Sequence, residues 1–294
     1  MKLLWFVSTV LGLFLHPILH RAPATLSERE HHELAPIVVS LTTRNWETQV
    51  GDLKLPYVLG KQTTNYSHAS ASQAENIELA ARRLNGTVVG PGKMFSYYAV
   101  VGPYTEENGY GWGRAFMGDR IVPSVGGGVC QGSSTLYSAI LRTGLTVVER
   151  HQHGLTVPYL PPGEDATVAG DYLDFRFRNN RKTPVLIVAD AQKRHMVVKI
   201  MGTSAGPDIS VHHKILAIYP FKTIVRYRSD LKPGEEKILA PGQDGVRVQN
   251  WLEIKENKGG VIKQLGIDRY RPSPRIMERS RASMQRPDGV PGHP

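Results

Sequence analysis

The chain of 294 residues contains one cysteine, Cys130, so an intramolecular disulfide is excluded. No cluster of cysteines and histidines has the spacing of zinc ligands, and we therefore assign no metal and no cofactor. No long internal repeat is present, and beyond the N-terminus no stretch is long and apolar enough to cross a membrane. These absences leave a globular protein whose lone thiol needs an explanation.

The N-terminal segment carries one positive residue, Lys2, followed by an apolar run from Leu3 to Leu15. That run has the length of the apolar region of a signal peptide and is shorter than the ~20 residues that span a bilayer. The small residues ending at Ala24 suit cleavage. We therefore predict export through a signal peptide or N-terminal anchor over residues 1–24, with membrane contact only through this segment.

Acidic residues are too few to balance the basic ones, and the formal net charge is +10. Such a balance favours an anionic partner. Because the N-terminus predicts export, we expect an anionic cell-wall polymer or a membrane surface outside the cytoplasm as the partner, and no nucleic acid.

The order of periodic segments predicts an α+β fold with six regions along the chain. A helix is predicted from Ser70 or Ser72 to Gly86, and a hairpin over "TPVLIVADAQKRHMVVKIMG" with "DAQKR" as its turn. The predicted regions are the N-terminal segment 1–24, a lead-in 25–56, a core domain 57–202, a linker 203–220, a small all-β module 221–279 and a loose tail 280–294.

The cysteine lies in "VGGGVCQGSSTLYSAILRTGL", where glycines precede it and a helical pattern ending at Gly144 follows. This order predicts a thiol at a helix N-terminus, where the helix dipole and backbone N–H groups favour a thiolate. Amides near Cys130 and Gln131 would also hold an oxyanion. Ser133 and Ser134 are good N-caps, so a later helix start stays open.

A thiolate nucleophile needs a base and a group that orients the base. His151 and His153 follow on a β-rich run, where alternate residues share a face, so either is the candidate base. Asp165 is the preferred orienting carboxylate, ahead of Asp171 and Asp174. The order Cys, His, Asp is that of papain- and transglutaminase-like folds, with the cysteine helix packed on an antiparallel sheet.

Other readings of these residues stay open. Cys130 alone suits a buried packing position, and a histidine pair on a strand suits a structural one. Ser133 and Ser134 do not lie in a G-x-S-x-G elbow, which disfavours them as nucleophiles. The Gly- and Tyr-rich segment from Tyr104 to Trp112 suits either packing or a groove for an extended substrate. Our candidate substrate-binding residues are Gly127, Gly128, Gln131, Ser133, Ser134, Tyr110 and Trp112.

Six motifs in order resemble the VanW family, from about residue 57 to 202: "LGKQTTNY", "NIELAARRLNGTVVGPGKMFSY", "VGPYTEENGYG", "VGGGVCQGSSTLYSAILRTGL", "VERHQHGLTVPYLPPGEDATV" and "DFRFRNN". The family is named after an accessory gene of glycopeptide-resistance clusters and occurs in exported proteins. The resemblance implies an L,D-transpeptidase of peptidoglycan with Cys130 as nucleophile and His151 or His153 as base. "KPGEEKILAPGQDGVRV" resembles a small extracellular β domain named for its five glycines.

Two functions follow as hypotheses. In the first, Cys130 attacks an amide carbonyl of a peptidoglycan stem peptide, and the resulting thioester passes to an amine of a neighbouring stem. Water as acceptor would make the protein a cysteine peptidase instead. In the second, an exported accessory protein binds the cell wall without turnover, and Cys130 is a packing residue.

Overall fold

The structure is a computed structural model that describes residues 39–40, 53–117, 120–256 and 259–281. The predicted N-terminal segment, most of the predicted lead-in and nearly all of the predicted tail lie outside the described residues. Within the described ranges, no helix is both long and apolar enough to cross a membrane.

Three α-helices belong to the predicted core domain: α1 Ala71–Leu84, α2 Tyr97–Val101 and α3 Val129–Leu141. A short 3-10 turn, Glu106–Asn108, follows α2. The predicted first helix is confirmed, and Ser70 is its N-cap. The Ser70 side chain accepts from the Gln73 N–H, and the Gln73 side chain accepts from the Ser70 N–H, which together form a capping box.

Sixteen strands are present in the described residues; the first lies in the predicted lead-in and the next nine in the predicted core domain. These ten are β1 Val39–Ser40, β2 Tyr57–Asn65, β3 Thr87–Val89, β4 Met94–Ser96, β5 Trp112–Met117, β6 Arg120–Val125, β7 Thr146–Glu149, β8 Arg176–Arg178, β9 Val185–Gln192 and β10 His195–Gly202.

The main sheet of the core is fully antiparallel, in the order β1-β3-β9-β10-β2. Its centre is the predicted hairpin, β9 and β10. The turn is shorter than predicted because Lys193 and Arg194, with φ of 49° and 63°, make the reversal alone. Two smaller antiparallel sheets, β4-β8-β7 and β5-β6, flank this core.

Helix α3 packs on the main sheet against β2 and β10. Leu136 and Ile140, four residues apart on one face of this helix, are fully buried. The approach to β2 is close at Gly60, where a Cβ atom would lie 2.3 Å from the carbonyl oxygen of Ala139. The sheet therefore fixes the helix, and with it the position of Cys130.

The C-terminal module is all-β, as predicted, and contains six strands in two sheets ordered β11-β14-β15 and β12-β16-β13. The strands are β11 Asp208–Tyr219, β12 Thr223–Arg228, β13 Glu236–Gln243, β14 Gly245–Glu256, β15 Gly259–Tyr270 and β16 Ser273–Ser280. All pairings are antiparallel except that of β12 with β16, which is parallel.

The predicted linker 203–220 differs from the structure. Most of it is strand β11, which pairs with β14 from Asp208 to Tyr219. The preceding "TSAGPD" has turn composition, which suggested a linker, but "DISVHHKILAIY" satisfies its backbone groups through the ladder with β14. The module therefore begins with β11.

Candidate functional site

The glycines before Cys130 form the turn that starts α3. Gly128 is the N-cap with φ of 112°, and Gly126 has φ of 76°. Both values lie in the left-handed region that favours glycine. The helix begins at Val129, so Cys130 lies in its first turn, as predicted, and the later start at Ser133 or Ser134 is wrong.

Gly127 does not lie at the substrate surface, contrary to its predicted role. It is buried, and a Cβ atom there would lie 2.3 Å from the main-chain carbon of Gly113. Its carbonyl oxygen accepts from the Asn76 side chain at 2.9 Å. The close crossing of two backbones therefore explains this glycine, whereas Gly128 does face the groove described below.

The Cys130 thiol is partly buried beside a loop that contains Thr167 and Val168. Its Sγ donates to the Val168 carbonyl oxygen at 3.4 Å and accepts from the Val168 N–H at 3.5 Å, and the Thr167 hydroxyl lies 3.7 Å away. Burial raises the pKa of the thiol, but the hydrogen bond and charge of His153 outweigh that effect, so the net pKa is lowered. The site therefore makes this thiol more acidic than an ordinary cysteine.

His153 is the histidine that the fold brings to Cys130. Its ring Nδ1 lies 2.7 Å from Oδ2 of Asp165, and its main-chain N–H donates to the same oxygen at 2.8 Å. Burial lowers the pKa of His153, but the hydrogen bonds to Asp165 and Cys130 raise it more, to about 9. Cys130, His153 and Asp165 thus form a chain of the kind that nucleophilic catalysis requires.

Asp165 is fully buried and ionised. Burial raises the pKa of its carboxyl, but the hydrogen bond from His153 and the charge of Arg150 lower it to about 2. Its Oδ1 accepts from Arg150 at 3.1 Å and also from the Tyr270 hydroxyl. Arg150 in turn donates to both carboxylate oxygens of Asp268 at 2.8 Å.

Contrary to the prediction, His151 does not face the Cys130 thiol. Strand β7 ends at Glu149, so the alternation of a regular strand does not continue to both histidines. The His151 ring bonds to Oε1 of Glu149 at 3.0 Å and is partly exposed. It is not among the residues that line the groove.

The other candidate carboxylates also lie elsewhere. Asp171 is exposed. Asp174 is buried beside helix α2, where it accepts from the Ser96 hydroxyl at 2.5 Å and the Tyr98 N–H at 2.9 Å. This position indicates that Asp174 stabilises the start of α2.

Ser133, Ser134 and Gln131 hold the cysteine helix in place. The Ser133 and Ser134 hydroxyls donate to the Ala166 carbonyl oxygen at 2.6 Å and 3.1 Å, and the Ala166 N–H donates to Ser134 at 3.0 Å. These buried serines therefore tie α3 to the loop beside Asp165, and the geometry gives them no substrate contact. The Gln131 side chain lines the groove but donates to Thr64 and Asn65 of β2.

The structure does not support one of the two predicted oxyanion donors. The Gln131 N–H donates to the Gly128 carbonyl oxygen at 3.0 Å, inside the turn. It is therefore not aimed at a bound carbonyl group, and the Cys130 N–H stays the predicted donor.

A groove with a volume of about 1310 Å³ contains Cys130 and His153 on its wall. Of the predicted aromatic segment, Tyr104 lines it. Tyr110 is core, since it is 1% exposed and its hydroxyl donates to the Val101 carbonyl oxygen at 2.6 Å. Trp112 is exposed and bonds to Glu106. The other tyrosines along the groove are Tyr66, Tyr98, Tyr159 and Tyr172.

Sequence reasoning missed Tyr159 as a groove residue, although it lies between the histidines and Asp165 in "HGLTVPYLPPGED". Burial raises the pKa of both Tyr104 and Tyr159. Both hydroxyls are therefore neutral in the folded protein. In the part of the chain that the structure describes, no group of three or more His, Cys, Asp or Glu side chains is suited to a metal.

The fold and site together define a class of protein. A mixed domain with few helices and several antiparallel sheets carries a Cys–His–Asp arrangement whose cysteine and histidine line a groove, and an all-β module follows it. Residues 72–201 match the family model described as VanW like protein, and residues 213–279 match that of the G5 domain. The chain therefore contains a VanW domain followed by a G5 domain.

Two curated relatives match the VanW region. YoaR of Bacillus subtilis (strain 168), an uncharacterized protein, is 39% identical over 142 residues, which is 48% of this chain and 47% of that protein. Vancomycin B-type resistance protein VanW of Enterococcus faecalis (strain ATCC 700802 / V583) is 30% identical over 146 residues, 45% of this chain and 52% of that protein. The chain spans about half the length of each relative.

The C-terminal module also has counterparts among solved structures. It is similar to the IgA1 protease G5 domain, with 22% identity and a TM-score of 0.18 over 27% of this chain and 96% of that chain. The assignment of the module rests on the family model.

Proposed function

We propose that the protein is a cysteine acyltransferase that acts on the stem peptides of peptidoglycan outside the cytoplasm. The observation that carries this proposal is the placement of Cys130 and His153 on the wall of one groove, with the buried Asp165 bonded to the His153 ring. The Cys–His–Asp order, with the cysteine on a helix, resembles that of papain- and transglutaminase-like enzymes. The cell wall as location is supported by the VanW and G5 matches and by the name of the Enterococcus relative.

In the first half of the reaction, the Cys130 thiolate attacks an amide carbonyl of the stem peptide and forms a C–S bond. The C–N bond then breaks, and the leaving D-amino acid takes a proton from the His153 imidazolium. A thioester on Cys130 remains, and His153 is neutral. The raised pKa of His153 supports its role as the acid in this step, because the ring stays protonated until it transfers its proton to the leaving amine.

In the second half, an amine of a neighbouring stem attacks the thioester carbonyl while neutral His153 takes its proton. The C–S bond breaks and restores the Cys130 thiolate beside the His153 imidazolium. The product is a cross-link between two stems. Water as the acceptor would release the shortened stem and make the protein a peptidase.

A second candidate is an accessory protein that binds the wall without turnover. The hydrogen bonds of Cys130 to both the N–H and the carbonyl oxygen of Val168 favour it, because they also suit a structural thiol. In that case the groove and the G5 domain would bind wall components, and Cys130 would be replaceable.

One experiment separates these candidates. The wild type, Cys130→Ala and the control His151→Ala are expressed in a host that lacks other L,D-transpeptidases, and the muropeptides are analysed. We expect new cross-links with the wild type and His151→Ala, and none with Cys130→Ala. Equal profiles for the wild type and Cys130→Ala would remove the enzyme from consideration and leave the binding protein.

The acceptor is identified separately with purified protein and a stem tetrapeptide. Intact mass measurement should show a thioester adduct on the wild type and none on Cys130→Ala. Added amine acceptor should then convert the adduct to cross-linked product faster than water releases it. Release of free stem alone would identify a peptidase.

A further inference from the structure

The orienting carboxylate is held from both parts of the chain. His153 and Arg150 of the VanW domain bond to Asp165, and Tyr270 at the end of β15 in the G5 domain donates to its Oδ1. Tyr270 is 2% exposed. Its oxygen accepts from the Gly163 N–H at 2.7 Å, so its own hydroxyl proton is directed to Asp165.

A second side chain of the G5 domain acts on Asp165 through Arg150. Asp268 binds the Arg150 guanidinium through two hydrogen bonds of 2.8 Å, and Asn250 donates to Asp268 at 3.0 Å. The Arg150 guanidinium also donates to the main-chain oxygen of Asp165 at 2.7 Å. Asp268 thus holds the guanidinium at Nη1, while Nε and Nη2 of the same group donate to Asp165.

The G5 domain also reaches the segment that carries His153 and the groove itself. The Arg271 N–H donates to the carbonyl oxygen of Gly154 at 2.7 Å, one residue from the proposed base. Gly242 and Gln243 line the groove, and the Gln243 side chain donates to the Thr156 carbonyl oxygen at 2.8 Å. A binding module attached by a flexible linker would have no need of such contacts.

We infer that the G5 domain completes the site, and that Tyr270 is a positioning residue that acts on His153 through Asp165. This inference rests on the proposed role of Cys130 as nucleophile. Without the Tyr270 hydroxyl, Oδ1 loses a buried donor and the carboxylate can turn away from the His153 ring. The imidazolium then loses part of its support, and the thiolate loses its counter-charge.

The test uses the full chain and the rate at which iodoacetamide alkylates Cys130, measured from pH 5 to pH 10. The variants are Tyr270→Phe, Asp165→Asn and the double variant, with Tyr227→Phe in the same domain as control. We expect Tyr270→Phe to slow alkylation at pH 6.5 about fivefold and leave the rate at pH 10 unchanged. Tyr227 is exposed, and its variant should match the wild type.

The double variant separates positioning from a general structural effect. If Tyr270 acts through Asp165, Tyr270→Phe adds nothing in the Asp165→Asn background. Asp268→Asn, which leaves the Tyr270 ring in place, should also slow alkylation at pH 6.5. Unchanged profiles for Tyr270→Phe and Asp268→Asn would overturn the inference, as would a Tyr270→Phe effect that persists in full without Asp165.

The alkylation readout needs no substrate, so the two proposals fail independently. Loss of the enzyme hypothesis would appear as equal muropeptide profiles for the wild type and Cys130→Ala. Loss of the positioning role would appear as superimposed alkylation profiles for the wild type and Tyr270→Phe.

Discussion

Asp165 binds His153 twice through one oxygen atom, at 2.7 Å from the ring Nδ1 and 2.8 Å from the main-chain N–H. Both donors belong to the same residue, so the carboxylate fixes the ring and its backbone together. Because Asp165 is ionised, it accepts from Nδ1–H, and proton transfer at the thiol falls to Nε2.

Replacing Asp165 with Asn should preserve the shape of the site and remove its charge. The amide can present its NH₂ group to Nδ1, which then favours the wrong tautomer of His153. We expect thioester formation to slow by about 10⁴-fold. Single-turnover acylation measured by intact mass gives the rate, and an unaltered rate would show that Asp165 does not orient the base.

The two histidines should behave differently in the alkylation of Cys130. With His153→Ala, burial becomes the dominant influence on the thiol, and its pKa should rise above the ordinary value. Alkylation would then become half-maximal at a higher pH than in the wild type. His151→Ala is the matched control, since His151 bonds to Glu149 and not to the groove. A shift caused by His151→Ala of equal size would contradict this assignment.

Site residues that lie in short continuous sequence motifs were predictable from the sequence. The glycines place Cys130 in the first turn of α3, and "HQHG" followed by "GEDATV" supplies His153 and Asp165. The choice between the two histidines was not predictable, because it depends on where β7 stops being a regular strand.

Residues that act through contacts distant in sequence could not be predicted from the sequence either. Tyr270 follows Asp165 by 105 positions, and no periodicity links a tyrosine at the end of β15 to a buried carboxylate. Ser133 and Tyr110 show the opposite error. Their chemistry suggested contact with substrate, yet each is buried and bonded to main-chain oxygen atoms.

Acid should destabilise the protein through Asp165 and Glu164. Burial raises the pKa of Glu164, but hydrogen bonds from His213 and Arg142 lower it from 4.5 to about 2, and the pKa of Asp165 falls from 3.8 to about 2. Both values are depressed by folding, so their stabilisation is complete above about pH 5 and is lost as the pH falls toward 2. The Asp165 contribution is about 2 kcal/mol.

This acid dependence is measured by urea unfolding at pH 5, 4 and 3. The wild type should lose stability over that range, and Asp165→Asn should lose less because its side chain does not titrate. The raised pKa of His153 does not affect this window, since the stabilisation from a raised histidine pKa is fully present below 6.5. Equal slopes for the wild type and Asp165→Asn would show that Asp165 is not stabilised as an anion.

A pair of glycines tests the contact between the two domains. Gly163 has φ of 101°, and a Cβ atom there would lie 2.2 Å from Oδ1 of Asn250 in the G5 domain. Gly234 has φ of 83°, but nothing lies within 4 Å of its Cβ position. Gly234→Ala should therefore cost about 1 kcal/mol for backbone strain alone. Gly163→Ala adds overpacking against a buried side chain and should cost about 3 kcal/mol in total.

Urea unfolding of both alanine variants gives these costs directly. Because Gly163 also donates to the Tyr270 hydroxyl, Gly163→Ala should in addition slow the alkylation of Cys130 at pH 6.5, whereas Gly234→Ala should not. Because Asn250 donates to Asp268, displacement of Asn250 would also move Asp268. The loss of stability and the slower alkylation of Gly163→Ala would then have the same cause. Similar losses of stability in both variants would mean that the G5 domain shifts to accommodate the new methyl group at position 163. The G5 domain would then not fix the geometry of the site.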